Sequence, residues 1–292
     1  MARRRPEQFV SAARIAEIAD LAEAVADEYC PSGNVDPQVI ARANRITTSF
    51  GPYGTAFDGM LEHRAGRFHI FCNLERSRRA DAPRARFTLA HELGHYYLDE
   101  HRNALAAGRA RAHRSQCQYE SSNLAEQEAD HFASNLLMPP ARFLARARSI
   151  RPGFEGIVSL AQHFGTSITS TTVRYAASDI APCAVVKWSW KGYAWKWLSS
   201  ETFRARFRKT IETTDDVPPD SPTGRALARQ TPPDAGFFQA GTTASAWFPH
   251  VAQGQLRDVL FIEQAMPLGR FGVLTFLYPE SGAYAFLDKL DA

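Results

Sequence analysis

Long apolar runs are missing from this chain: no stretch approaches the roughly 18 apolar residues that a membrane-spanning helix needs. Cysteine is scarce as well. Cys30, Cys72, Cys117 and Cys183 stand far apart without a CxxC pair, which argues against a disulfide framework or a zinc knuckle and leaves them as free thiols. Charge of one sign is also lacking, since 34 Lys and Arg face 31 Asp and Glu, and a net +3 gives no argument for nucleic acid or anionic lipid as a partner. Internal repeats and low-complexity segments are absent, which excludes solenoids and extended disorder. The opening Met1-Ala-Arg-Arg-Arg-Pro6 leads into no apolar signal core, so a cytoplasmic location without membrane contact is expected.

What the chain does have is length and an ordinary globular composition. Its 292 residues, 45% hydrophobic and 22% charged, suffice for two domains with their own cores. From Ser11 to Tyr29 the apolar positions Ala13, Ile15, Ile18, Leu21, Ala22, Val25 and Ala26 recur at helical spacing. Between Ser49 and Leu74, Gly51, Pro52, Gly54 and Gly59 punctuate short β-prone pieces that suggest a hairpin. The Phe68 to Cys72 piece would suit an edge strand that aligns an extended substrate through its backbone. Pro83 opens a helix, as its fixed φ suits a first turn. Residues 101–122 read as an Arg- and Ala-rich mobile connection with one short helix, its tip a place for a gating loop. A helix over Asn123 to Met138 ends at Pro139-Pro140. Residues 156–178 hold two short helical patterns around Gly165.

After Pro182 the chain turns β-prone and aromatic. A two-residue turn at Lys191-Gly192 would set Trp190 opposite Tyr193, Trp188 opposite Trp195 and Val186 opposite Trp197, with the aromatics on one face. A long loop over Asp215 to Gly241 and a strand over Gly272 to Tyr278 follow. The expected fold class is α+β. Residues 1–150 form the first domain, 151–180 a helix-turn-helix-like segment, and 181–292 a smaller C-terminal α+β domain.

The most informative segment is Arg86-Phe-Thr-Leu-Ala-His-Glu-Leu-Gly-His95. On a helix His91 and His95 share one face and can reach a single zinc ion, with Glu92 placed to act on a metal-bound water. Phe87, Leu89, Ala90, Leu93 and Leu98 supply the buried face. A catalytic zinc usually takes a third protein ligand. On the Asn123 to Met138 helix, Ala125, Ala129, Phe132, Ala133 and Leu136 form the apolar stripe, and of Glu126, Glu128 and His131 only Glu126 borders it. Glu128 and His131 read as solvated. Asp130, one turn beyond Glu126, could accept the second N–H of a ligand histidine.

These two motifs, the second being Glu126-Gln-Glu-Ala-Asp-His-Phe-Ala-Ser-Asn-Leu-Leu-Met-Pro139, resemble those of the ImmA/IrrE zinc metallopeptidases. The resemblance is specific from about Gly51 to Phe143. It implies a zincin-like domain, two core helices carrying the ligands plus a small sheet, with Zn2+ held by His91, His95 and Glu126 and Glu92 as general base. That family usually has Asn where Asp130 stands; a carboxylate should orient a histidine as well. The implied activity is site-specific cleavage of a helix-turn-helix repressor or an antitoxin-like regulator, switching on stress-response or mobile-element genes. The C-terminal region would then be a sensory or substrate-binding module similar to a GAF domain.

Other features point less far. A donor for the oxyanion is expected among Tyr96, Tyr97 and Tyr119, with Tyr97 better placed for the core. The segment Leu160 to Arg174 resembles a helix-turn-helix, and Trp188, Trp190, Trp195 and Trp197 with three nearby lysines resemble a platform for single-stranded nucleic acid. Packing is the preferred reading of both. The alternative for the whole chain is a non-hydrolytic regulator with a structural zinc site that binds DNA or a partner through residues 156–292.

Overall fold

In the computed structural model the described residues are 9–108, 113–115, 123–199, 201–234, 236–251, 254 and 256–280. The chain folds as two compact units, one of Met1–Phe143 with Gln162–Ser167 and another of Leu144–Ala161 with Ile168–Ala292. Among the described residues, no helix is long and apolar enough to cross a membrane. Cys30, Cys72 and Cys183 are buried free thiols; Cys117 lies outside the described residues.

The first unit begins with α1 (Ala12–Tyr29), whose N-cap Ser11 accepts a hydrogen bond from the Arg14 backbone N–H and satisfies one of the four orphan donors of the first turn. The helix buries Ile18, Ala22, Val25 and Ala26, part of the stripe that its spacing predicts. Next come α2 (Pro37–Ala43) and three strands, β1 (Thr47–Gly51), β2 (Gly59–Arg64) and β3 (Arg67–Asn73). Ala65 and Gly66 both take positive φ, 50° and 74°, so the two-residue turn of the expected β2–β3 hairpin matches the strand twist. α3 (Pro83–Tyr97) starts at the expected proline, and α4 (Asp99–Ala106) and β4 (His113–Ser115) occupy part of the 101–122 connection. Residues 109–112 and 116–122 of that connection, with the expected gating tip and Tyr119, lie outside the described residues. α5 (Leu124–Leu137) is capped by Asn123, and α6 (Pro140–Ala147) starts at the second residue of the proline pair.

The sheet order is β1-β3-β2-β4, with β1 parallel to β3 and the other pairs antiparallel. This overturns the reading of Phe68 to Cys72 as an edge strand. Both edges of β3 are taken, because β1 adds in parallel from Thr47↔His69 to Gly51↔Asn73 while β2 closes the hairpin. Leu61, Ile70 and Cys72 join the apolar faces of α1, α3 and α5 in one core.

α7 (Phe154–Phe164) and α8 (Ile168–Ala177) flank Gly165, at φ 63°, as the sequence spacing suggests. The second unit then holds β5 (Ala184–Ser189), β6 (Gly192–Leu198), α9 (Glu201–Arg206), α10 (Pro222–Leu227), β7 (Phe238–Thr243), α11 (Ala244–Trp247), β8 (Leu260–Pro267) and β9 (Val273–Pro279). Its five strands form an antiparallel sheet in the order β6-β5-β9-β8-β7. The expected loop over 215–241 is in fact interrupted by α10 and by the start of β7. The expected hairpin forms, but its turn is Trp190-Lys191, and a bulge between Lys187 and Trp188 pairs Trp188 with Tyr193, Lys187 with Trp195 and Val185 with Trp197. The shift splits the aromatics between faces: Trp188 is fully buried, whereas Trp190 and Trp197 are 37% and 42% exposed.

Candidate metal centre

Two close approaches build the centre. Gly94 sits between the two histidines' turns on α3, and a Cβ there would meet Ala129 Cα on α5 at 3.1 Å and Phe132 Cβ at 3.2 Å. Only a residue without a side chain lets α5 come this near. The second approach is Gly59 at the start of β2, where a Cβ would overlap Glu92 Oε1 and meet Thr88 Cγ2 at 2.7 Å. Neither glycine stands out by spacing alone.

The β2 start is itself held in place. Asn73 uses both ends of its amide, donating to the Gly54 and Phe57 carbonyls at 2.7 Å and accepting from Tyr53 and Glu75 N–H at 3.0 Å. Asp58 accepts from Arg84 of α3 at 2.8 Å, a charge-assisted bond that ties the strand to the helix ahead of the motif.

At the crossing, His91, His95 and Glu126 are all buried and bring their ligand atoms together. His91 Nε2 lies 3.2 Å from His95 Nε2 and 3.5 Å from Glu126 Oε2, and His95 Nε2 lies 3.2 Å from Glu126 Oε1. Tetrahedral bonds of about 2.05 Å would separate neighbouring ligand atoms by roughly 3.3 Å. The donor set, its burial and its spacing therefore fit a zinc-sized ion. Glu92, also buried, follows His91 on α3.

Asp130, one turn along α5 from Glu126, has its Oδ1 2.8 Å from His91 Nδ1. Burial by itself would push the His91 pKa down, but the hydrogen bonds to Asp130 and then Glu126 outweigh it and hold the ring up at about 10. Glu128 departs from expectation. It is not solvated: its side chain is 17% exposed, with carboxylate oxygens 3.0 Å from Arg14 Nε and 3.2 Å from His101 Nε2. The cause is α1 packing along α5, which covers the side that a helical wheel leaves to water. His131 is half-buried, and burial lowers its pKa.

His101, which the sequence places inside a connection, stands with Nδ1 3.0 Å from His95 Nδ1. Leu98 breaks the helix between them, so no helical spacing from the motif could have found it. Of the candidate oxyanion donors, Tyr97 has its hydroxyl 2.7 Å from Asn44 Nδ2 and its ring stacked on Phe132, as its core reading predicts. Tyr96 packs edge-on against Phe68.

Residues 62–175 match a peptidase-family model described as the IrrE N-terminal-like domain. No curated protein matches the chain. A solved structure, a Mycobacterium tuberculosis transcriptional regulator, is similar over 92% of this chain and 90% of that one, at a TM-score of 0.57 and 14% identity. At that identity the likeness is one of fold.

Proposed function

Taking residues 62–175 as an IrrE N-terminal-like domain of the ImmA/IrrE type, we propose that the protein is a zinc-dependent endopeptidase acting on a regulatory protein, a helix-turn-helix repressor or antitoxin-like regulator. The observation that carries this reading is the convergence of three buried donors, His91, His95 and Glu126, with the buried carboxylate of Glu92 within electrostatic reach of His91. Cleavage of such a regulator would release stress-response or mobile-element genes.

His91 and His95 would hold the ion through Nε2 and Glu126 through a carboxylate oxygen. The metal, when bound, supplies Lewis acidity toward a water and toward the scissile carbonyl. Glu92 receives the proton of the attacking water and delivers it to the leaving amine, which is general acid–base work by one carboxylate. The lack of a side chain at Gly59 leaves room for that carboxylate, and Asp130 fixes His91 with its proton on Nδ1 and Nε2 directed inward. Burial excludes bulk water, which strengthens each of these electrostatic contacts. The 181–292 region would supply substrate choice or control.

The test is to purify the protein without chelator, measure its zinc content, and incubate wild type and Glu92→Gln with helix-turn-helix proteins encoded beside its gene. The expected outcome is about one zinc per chain in both and cleavage lowered by roughly 10²- to 10⁴-fold in the variant. A chain without zinc, or a variant that cleaves like wild type, would sink the reading.

A further inference from the structure

Resting on that reading of the ligands, we propose that His101 is a positioning residue for His95, and that the Glu128–Arg14 ion pair behind it sets the direction of the hydrogen bonds. A neutral histidine that gives Nε2 to a metal keeps its proton on Nδ1. Nδ1 of His95 faces Nδ1 of His101 at 3.0 Å, so His101 must accept there with a bare nitrogen and carry its own proton on Nε2. That Nε2 lies 3.2 Å from Glu128 Oε2, an acceptor. Arg14 closes the row, donating from Nε to Glu128 Oε1 at 3.0 Å and from Nη2 to Oε2 at 3.4 Å. The hydrogens therefore have one consistent arrangement: His95 donates to His101, His101 donates to Glu128, and Glu128 accepts from both sides.

The geometry of α5 explains why an imidazole has to intervene. Asp130 stands one turn from Glu126 and reaches His91 directly at 2.8 Å. Glu128 is two residues from each, which turns it roughly 200° away around the helix. It faces α1 and α4 instead of His95. His101, carried by α4 just past the break at Leu98, spans the gap. The two ligand histidines are thus oriented by carboxylates of one helix, one in direct contact and one at one remove. Such partners fix the ring plane and raise the basicity of the ligating nitrogen.

The experiment measures zinc dissociation constants by chelator competition, the visible absorption of the Co2+-substituted protein, and metal-free thermal unfolding. The proteins compared are wild type, His101→Leu, His101→Asn and Glu128→Gln, all as the full chain. His101→Leu removes the acceptor and is expected to weaken zinc binding by roughly 10- to 100-fold, to shift the Co2+ bands, and to leave metal-free unfolding unchanged. His101→Asn puts an amide oxygen near the Nδ1 position and should restore most of the affinity. Glu128→Gln should lose several-fold, which keeps the test open if His101→Leu does not fold. Unchanged zinc affinity and Co2+ bands in His101→Leu, with wild type binding normally, would overturn this proposal alone. So would a loss that tracks a lower metal-free stability and is not restored by Asn, which is what a purely structural tie between α4 and α5 would give. Wild type that binds no zinc would overturn the ligand reading and this proposal together.

Discussion

On the proposed reading of the centre, a metal ion would compete with a proton for the same nitrogen of His91. Its pKa of about 10 in the folded chain is well above the ordinary histidine value near 6.5. In metal-free protein this raised value contributes stability that is fully present below pH ~6.5 and is lost as pH rises through about 10. Metal binding takes the opposite dependence, since the ion must displace the proton from Nε2. Calorimetric titration with zinc at pH 7, in buffers of different ionisation enthalpy, is expected to show release of about one proton from this site. Affinity should rise with pH across the same window, and pH-independent binding without proton release would contradict the assignment. Gly59 gives a second test at this scale. In Gly59→Ala the added methyl meets Thr88 Cγ2 at 2.7 Å and displaces the Glu92 carboxylate, while the metal-site side chains are not among its nearest neighbours. Peptidase activity should fall by roughly 10²-fold or more, the range for a misplaced general base, with zinc content unchanged.

The crossing of α3 and α5 sets the candidate metal site, and Gly94 sets the crossing. A glycine within a helix costs about 1 kcal/mol relative to alanine, so Gly94→Ala would be stabilising if propensity decided the outcome. The added Cβ, however, would press on Ala129 Cα at 3.1 Å and Ala129 O at 3.2 Å, which are backbone atoms that cannot rotate away. Overpacking of this kind costs about 1–3 kcal/mol and should win. Gly94→Ala is therefore expected to lower the denaturation midpoint and to weaken zinc binding, because the shift separates Glu126 from the two histidines. Equilibrium unfolding of the metal-free chain, beside a zinc titration, distinguishes the two effects. Periodicity makes the long helices legible: Ser11, Pro83, Asn123 and the Pro139-Pro140 pair mark their ends in the sequence, and the structure uses each of them. The strands are less so. β8 has no clear alternation to announce it, and the bulge at Lys187/Trp188 shifts a register that turn chemistry alone assigns differently.

On the scale of the whole molecule, the centre ties together elements distant in sequence. His91, His95, His101, Glu126, Glu128, Asp130 and Arg14 come from four helices that meet at this site. If the centre holds zinc as proposed, removing the ion should therefore loosen the first unit. Saturating zinc at 1,000 times its dissociation constant would stabilise the folded chain by about 4 kcal/mol, and chelation should remove that increment. Hydrogen exchange is the suitable readout, with protection of α3 and α5 amides expected to fall on chelation and recover when zinc is restored. Unchanged protection would mean that the donor set carries no ion. The second unit keeps a different buried network. Glu263, fully enclosed, accepts from the Thr223 backbone N–H and Trp247 Nε1 at 2.8 Å each, while Thr275 meets Trp188 Nε1 and the Thr223 hydroxyl. Full satisfaction of this kind lets a carboxylate sit in a core that would otherwise reject it.

The sequence by itself determined whatever depends on local spacing. Two histidines four residues apart share a helix face, Glu126 borders an apolar stripe, and Asp130 follows one turn later, all consequences of 3.6 residues per turn. The tertiary structure decided everything that depends on which surfaces meet. Glu128 is enclosed because α1 lies over it, β3 is central because β1 pairs with it in parallel, and His101 reaches His95 only because the chain turns at Leu98. Spacing specifies where a side chain points on its own element. Burial and partnership depend on the neighbour that packs there, and no local pattern encodes that neighbour.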